Sequence, residues 1–289
     1  MSVAPSHPTT ERPDPPEPAA AWPYPRWFAH RGAGALAPEN TLAAFRLGAS
    51  LGWRAYECDV KLSADGQPFL LHDATLGRTL RWPQLPEPQE EEESDEGFDL
   101  LTPDTLAGEL TWAELSRLDA GSWAGRRFAG EPLPTLEAIA AWCLAQRHAL
   151  NIEIKPTPGD EARTGRRVAE VVRRLWKEAV ASGHSPWPLL SSFRPDALAA
   201  AFETAPELPR ALLLDSLWED CFDVAERLDC VAVVLNHQLL DGPALVQQAH
   251  SDGLKLLVYT VNDAQRAEQL LDWGVNGLIT DAVDRFLPD

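Results

Sequence analysis

The sequence predicts an α/β fold, a (β/α)8 TIM barrel, on three observations. Short apolar runs alternate with amphipathic helical patterns, eight units over about 260 residues, the span expected of that barrel. Polar and charged residues collect where the apolar runs end, and barrel active sites are built at the C-terminal ends of strands. The first run is followed by Gly32-Ala33-Gly34, which lacks the full glycine spacing that a doubly wound open sheet carries at its phosphate loop.

The elements follow in order. Trp27–Ala29 is a short strand ending at His30-Arg31-Gly32. Pro38-Glu39-Asn40-Thr41 then opens a helix to about Leu51, with Thr41 or Asn40 as N-cap. Arg54–Lys61 is the second strand, and Phe69–Leu71 returns from it as a hairpin around Asp65-Gly66, a favoured two-residue turn. Centring the turn there pairs Leu62 with Phe69 and Asp59 with His72. After His72-Asp73 comes a long excursion with a short helix near Thr111–Leu118 and a Trp/Gly/Phe-rich segment, Asp119–Gly130. Pro134-Thr135 starts a helix whose apolar stripe runs Leu136, Ile139, Ala140, Cys143. Strands are then expected at Leu150–Ile154, Leu189–Ser192, Arg210–Leu214, Val231–Leu235, Lys255–Tyr259 and Gly277–Thr280. Helices fill the gaps at about Asp160–Ser182, Pro195–Ala205, Leu217–Leu228, Gly242–Asp252 and Asp263–Trp273.

Composition narrows the function. At 289 residues, 45% hydrophobic and with eleven Trp, the chain can bury a full core. A net charge of −19 argues against non-specific binding to nucleic acid or an anionic membrane. Part of it is local: Glu87–Asp99 holds eight acids in thirteen residues and reads as a solvated acidic loop over about 83–104. Residues 1–25 carry eight prolines and no apolar core, so they read as a disordered leader rather than a signal peptide, with the barrel domain at 26–289. Cys58, Cys143, Cys221 and Cys230 form no CxxC pair, and no apolar run is long enough to span a membrane. Together these point to a cytoplasmic protein.

Side chains alternate along a strand, so Glu57 and Asp59 share one face, as do Glu153 and Lys155 on the next strand. His30-Arg31 ends the first strand, and Ser192-Phe193, Asn236-His237, Tyr259–Asn262 and Thr280-Asp281 end later ones. Three carboxylates with neither a cysteine nor a close histidine pair suit a hard divalent cation, Mg2+ or Ca2+. His30 and His72 suit a general acid and base, and Arg31 and Lys155 supply fixed positive charge for a phosphate. The sum reads as metal-assisted chemistry on a phosphodiester. Asn40 and Asn262 read first as helix caps, and His237 as a rim residue within reach of substrate.

These residues resemble a known family. His30-Arg31-Gly32, Pro38-Glu39-Asn40-Thr41, Glu57-Cys-Asp59-Val, His72-Asp73, Ile152-Glu153-Ile154-Lys155, Thr260-Val-Asn262 and Gly277–Asp281 look like the glycerophosphodiester phosphodiesterases, nearest the cytoplasmic bacterial type. The resemblance runs from Trp27 to about Val283. It implies a barrel of the phospholipase-C-like phosphodiesterase kind, Glu57, Asp59 and Glu153 as metal ligands, His30 and His72 as acid and base, and Arg31 and Lys155 on the phosphate. Glu39, Asn40, Phe193, His237, Tyr259 and Asn262 would form the second shell or substrate rim. The implied products are sn-glycerol 3-phosphate and an alcohol. Two rival readings remain: a lysophospholipase D-like enzyme with an apolar pocket near Trp82, Trp123 and Trp218, and a non-catalytic binding protein.

Overall fold

The computed structural model describes residues 22–82 and 101–288. Residues 1–21 of the expected leader and residues 83–100 of the expected acidic loop lie outside the described residues, whereas Tyr24, also counted in the leader, is buried against the barrel and donates to the Trp187 carbonyl at 2.8 Å. The strands are β1 (Trp27–Ala29), β2 (Ala55–Leu62), β3 (Pro68–Leu70), β4 (Ala149–Ile154), β5 (Leu189–Ser192), β6 (Arg210–Leu214), β7 (Ala232–Asn236), β8 (Lys255–Tyr259) and β9 (Gly277–Thr280). The helices are α1 (Leu42–Ser50), α2 (Trp112–Leu115), α3 (Leu136–Gln146), α4 (Glu161–Ala181), α5 (Pro195–Thr204), α6 (Cys221–Arg227), α7 (Ala244–Ser251) and α8 (Ala264–Asp272). Eight strands pair in parallel in the order β1-β9-β8-β7-β6-β5-β4-β2, and Ala29 meeting Tyr56 closes the ring. The alternation of elements therefore yields the expected barrel. No helix among the described residues is long and apolar enough to cross a membrane.

Period-two alternation sorts the apolar residues into two layers. Side chains such as Tyr56, Cys58, Val60, Ile152 and Leu190 point outward and pack against the helices in the main core. Phe28, Ala55, Leu189, Ala211, Val234 and Ile279 point inward and fill the barrel, with Tyr24 packed beneath them. Each large side chain so buried contributes about 1.5–3 kcal/mol. The barrel's lower half is thus filled mainly by apolar side chains, and Glu57, Asp59 and Glu153 face inward above it.

The hairpin after β2 has a different register from the one expected. Val60 pairs with Leu70, Lys61 with Phe69 and Leu62 with Pro68. Gly66 N–H bonds back to the Ser63 carbonyl at 2.9 Å, and Ser63 N–H to the Gln67 carbonyl at 3.1 Å. The loop therefore holds three residues, Ala64, Asp65 and Gly66, and Gly66 takes a positive φ of 84°. This is the wider turn that ends on a left-handed glycine, not the two-residue turn. Asp65 favours it by accepting from the Ser63 hydroxyl and, at 2.9 Å, from Trp112 N–H. Asp59 consequently sits opposite Leu71, whose N–H it receives at 3.1 Å, and His72 lies one residue beyond the ladder.

The excursion between β3 and α3 builds a small core of its own, with Phe69, Leu76, Leu80, Leu115, Leu118 and Leu133 all buried. Thr111 caps the start of α2 in a reciprocal pair with Glu114, and the helix spans four residues, ending at Leu115 short of the expected Leu118. The Trp/Gly segment folds around Asp119, whose carboxylate accepts from the N–H groups of Gly121, Ser122 and Gly130 at 2.7–2.8 Å. Glu131 then accepts from Ala43 N–H at 2.8 Å and ties the excursion to the start of α1.

Candidate active site

Glu57 and Asp59 face the barrel interior from β2 and Glu153 from β4, where Asp59 and Glu153 are register partners. One oxygen from each carboxylate falls within 4.8 Å of the others. All three are buried, Asp59 to 1% exposure. Burial and the Asp59 charge push the Glu57 carboxyl up to about 8 and the Glu153 carboxyl up to about 7. Burial acts on Asp59 in the same direction, but Lys155 and Arg31 overcome it and hold its carboxyl well below the ordinary range. Two of three carboxylates are thus short of positive charge, which an oxygen-seeking divalent cation at their centre would supply. A second observation agrees. The side chains of Asn151 and Ser191, buried on the wall of the same chamber, have no hydrogen-bond partner among the described residues, and a ligand or solvent would satisfy them. The residues present fit a metal ion held by oxygens.

The cations are fixed by the carboxylates. Lys155 Nζ stands 2.8 Å from Glu153 Oε1 and 3.3 Å from Asp59 Oδ1. Arg31 reaches Asp59 at 3.2 Å and Glu39 at 2.9 Å, while its backbone N–H donates to Glu57 Oε2 at 3.1 Å. Arg31 takes a positive φ of 51° to do so, a cost of about 1–3 kcal/mol that its contacts must offset. Asn40 also has a positive φ, 59°, and donates to Asp59 Oδ2 at 2.7 Å while accepting from Asp59 N–H at 3.1 Å. Asn40 therefore clamps a carboxylate; Thr41 caps α1.

The histidines differ in their surroundings. His30 Nδ1 bonds Asp281 Oδ1 at 2.6 Å and its Nε2 lies 3.7 Å from Glu57. Burial works to lower its pKa, but the bond to Asp281 and the Glu57 charge win and raise it. His72 is lowered by burial, with Lys155 and Arg31 adding to that against the pull of Asp59. Its Nδ1 bonds Asp73 Oδ1 at 2.7 Å. His72 reaches the chamber from the excursion, not from a cross-strand position opposite Asp59.

Of the other expected residues, Phe193 and Tyr259 line the chamber, their rings 5.8 Å apart edge to face. Glu39 bridges Arg31 and Arg78. Asn262 is not a cap; Asp263 caps α8, and Asn262 Oδ1 accepts from Asp281 N–H at 2.8 Å and Thr280 Oγ1 at 3.1 Å. It holds the residue that holds His30. His237 does not line the chamber: it opens a short 3-10 turn, and its Nδ1 accepts from Arg266 at 3.4 Å.

Several residues with a part in the site carry no expected role. Lys61 extends the Glu57–Asp59 face by one more period, and its Nζ donates to the Lys155 carbonyl at 3.0 Å. Burial pulls its pKa down to about 8. The period-two rule alone would have flagged it. Arg78 donates to Glu39 and Asp73, so one side chain sets both the partner of Arg31 and the partner of His72. No local sequence pattern signals that bridge.

The chamber holding these groups has a volume of about 170 Å³ and opens at the C-terminal ends of the strands. A barrel with clustered carboxylates, imidazoles and fixed cations at that mouth has the groups that phosphodiester hydrolysis needs. Residues 30–285 match the glycerophosphoryl diester phosphodiesterase family, and the chain belongs to it. It is 30% identical over 260 residues to a glycerophosphodiester phosphodiesterase of Caldanaerobacter subterraneus, covering 88% of this chain and 93% of the relative. A glycerophosphodiester phosphodiesterase of Bacillus subtilis is 28% identical over 280 residues, with 89% and 84% covered. Among solved structures, a phosphodiesterase of Oleispira antarctica in complex with the product sn-glycerol-3-phosphate superposes with a TM-score of 0.74 at 30% identity, covering 91% of this chain and 95% of that one.

Proposed function

We propose that this enzyme hydrolyses glycerophosphodiesters to sn-glycerol 3-phosphate and an alcohol, with Mg2+ or Ca2+ held by Glu57, Asp59 and Glu153. The observation that carries the reading is a cluster of three buried carboxylates, two of which, Glu57 and Glu153, line one small chamber together with two differently tuned histidines and two cations. The product bound in the Oleispira antarctica neighbour supports the glycerol headgroup. A bound divalent cation would supply positive charge to a phosphate oxygen and acidify a hydroxyl beside it.

The chain's own residues then divide the proton transfers. Arg31 and Lys155 orient the phosphate through charge-assisted hydrogen bonds. His72, whose lowered pKa keeps it neutral, takes the proton of the attacking hydroxyl on Nε2, since Nδ1 is engaged by Asp73. His30, kept protonated by Asp281, gives its Nε2 proton to the alcohol oxygen as the P–O bond breaks. The attacking oxygen belongs to water or to the glycerol 2-hydroxyl; trapping a cyclic phosphate would distinguish them.

The three tryptophans that would favour a lysophospholipase D pocket do not share one. Trp123 lines a cavity beside the site, Trp82 packs on the excursion core, and Trp218 is 41% exposed beyond β6. The test is release of sn-glycerol 3-phosphate from glycerophosphoglycerol after chelation, with and without added Mg2+ or Ca2+. Product should appear only with metal, and its absence at saturating metal would sink the proposal.

A further inference from the structure

Beside the catalytic chamber lies a second, larger cavity of about 630 Å³, walled by the turn after β1 and by the Trp/Gly segment of the excursion. His30 and Arg31 line both cavities, whereas His72 lines only the first. We infer that this second cavity is the subsite for the departing alcohol, and that it selects alcohols rich in hydroxyl or carboxylate oxygens over ammonium alcohols. The inference rests on the phosphodiesterase reading given above.

Two features place the alcohol there. The group that protonates the departing oxygen must touch that oxygen, and His30 stands on the boundary between the cavities. The inner chamber, at about 170 Å³, suits the small constant part of the substrate, and the larger one suits the variable part.

The charges on its wall set the chemistry. Both carboxylates lining it are already engaged: Glu39 by Arg31 and Arg78, and Asp281 by His30 and Asn262. No acid is left among the described lining residues to receive an ammonium group. Arg127 reaches the Leu36 carbonyl at 3.1 Å and packs over the Phe128 ring, but has no carboxylate partner among the described residues. Its guanidinium can therefore donate to oxygens of the alcohol. Trp123, fixed by its Nε1 bond to the Ala120 carbonyl at 2.9 Å, also lines the cavity.

The test uses the full-length metal-loaded protein and four substrates: glycerophosphoinositol, glycerophosphoserine, glycerophosphoglycerol and glycerophosphocholine. Wild type should turn over the first three with higher kcat/KM than the last. Arg127→Gln should raise KM about tenfold for glycerophosphoserine and glycerophosphoinositol, the loss of one charge-assisted hydrogen bond. It should change glycerophosphocholine by less than twofold and leave inhibition by sn-glycerol 3-phosphate unchanged. Trp123→Leu should weaken the polyol substrates in the same pattern. Equal effects on all four substrates, weakened product inhibition, or a wild-type preference for glycerophosphocholine would overturn the inference while leaving the activity itself standing. Failure to release sn-glycerol 3-phosphate from any of the four would instead count against the phosphodiesterase reading.

Discussion

Replacing Arg78 by Gln should damage catalysis while leaving Glu57, Asp59 and Glu153 in place. Arg78 makes four charge-assisted hydrogen bonds of 2.7–2.9 Å, two to Glu39 and two to Asp73. Through Glu39 it steadies Arg31, and through Asp73 it steadies His72. Its side chain is 43% exposed, so solvent screening reduces these bonds to about 0.5–1 kcal/mol per carboxylate, a stability loss of roughly 1–2 kcal/mol. The catalytic cost should exceed that, because a base displaced by about 1 Å can lose on the order of 100-fold. A fall in kcat of about 10–100-fold is expected, with the metal dissociation constant unchanged. The pH profile adds a sharper readout. Without Arg78, Asp73 turns its whole charge toward His72, which raises the imidazole pKa and moves the limb set by the free base to higher pH. Arg78→Lys should rescue little, since an ammonium cannot span both carboxylates as the planar fork does. Steady-state kinetics from pH 5 to 9, with titration of metal by calorimetry, would show this. A mutant with wild-type kcat and an unmoved profile would refute the coupling.

Three further outcomes can be measured. Asp59→Asn should leave a folded barrel that no longer binds metal or turns over substrate, because Asp59 is the one ligand kept ionised by its neighbours; wild-type affinity in calorimetry would contradict this. Metal binding to the apo protein at pH 7 should release about one proton, since Glu57 and Glu153 titrate at about 8 and about 7 and must ionise to ligate. Apparent binding enthalpy should then differ between buffers of different ionisation enthalpy, and identical enthalpies would disprove it. His148 is buried between Tyr56 and Trp142 with neither ring nitrogen bonded among the described residues, and burial lowers its pKa. The unfolded chain binds a proton at this residue that the folded chain resists, so stability is full above about pH 6.5 and falls below it by up to about 1.4 kcal/mol per pH unit. His148→Phe should flatten that fall in denaturant titrations; an unchanged slope would exclude His148 as its source.

The barrel was legible because its signal is periodic. Alternation along β2 and β4 placed Glu57, Asp59, Glu153 and Lys155 on one inner face without any tertiary information. The same alternation extends to Lys61, whose Nζ is drawn to the Lys155 carbonyl at the same strand ends. Contacts between distant segments were less legible. Asn40 and Asn262 precede helices, so capping was the local inference, yet each is taken by a carboxylate-bearing strand end that local sequence cannot see. His237 shares the strand-end position of true site residues, but the Arg266 side chain from α8 claims it. The hairpin shows how a right residue can be reached by a wrong path. Asp65-Gly66 suggested a two-residue turn, whereas the Ser63 and Trp112 contacts to Asp65 favour a three-residue loop and move the pairing by one.

That one-residue shift has a consequence for how the enzyme loses activity. Glu57, Asp59, Glu153 and His30 belong to the barrel, but His72, the proposed base, and one wall of the outer cavity belong to the excursion, which has its own hydrophobic cluster. Cooperative units of that size can open below the global unfolding free energy. Loss of turnover should therefore precede melting of the barrel on heating or in urea, with bound metal retained and exchange at Leu76, Leu80 and Leu115 amides accelerated first. Catalytic competence in this chain would then be a property of a local foldon, held closed against a scaffold that outlasts it.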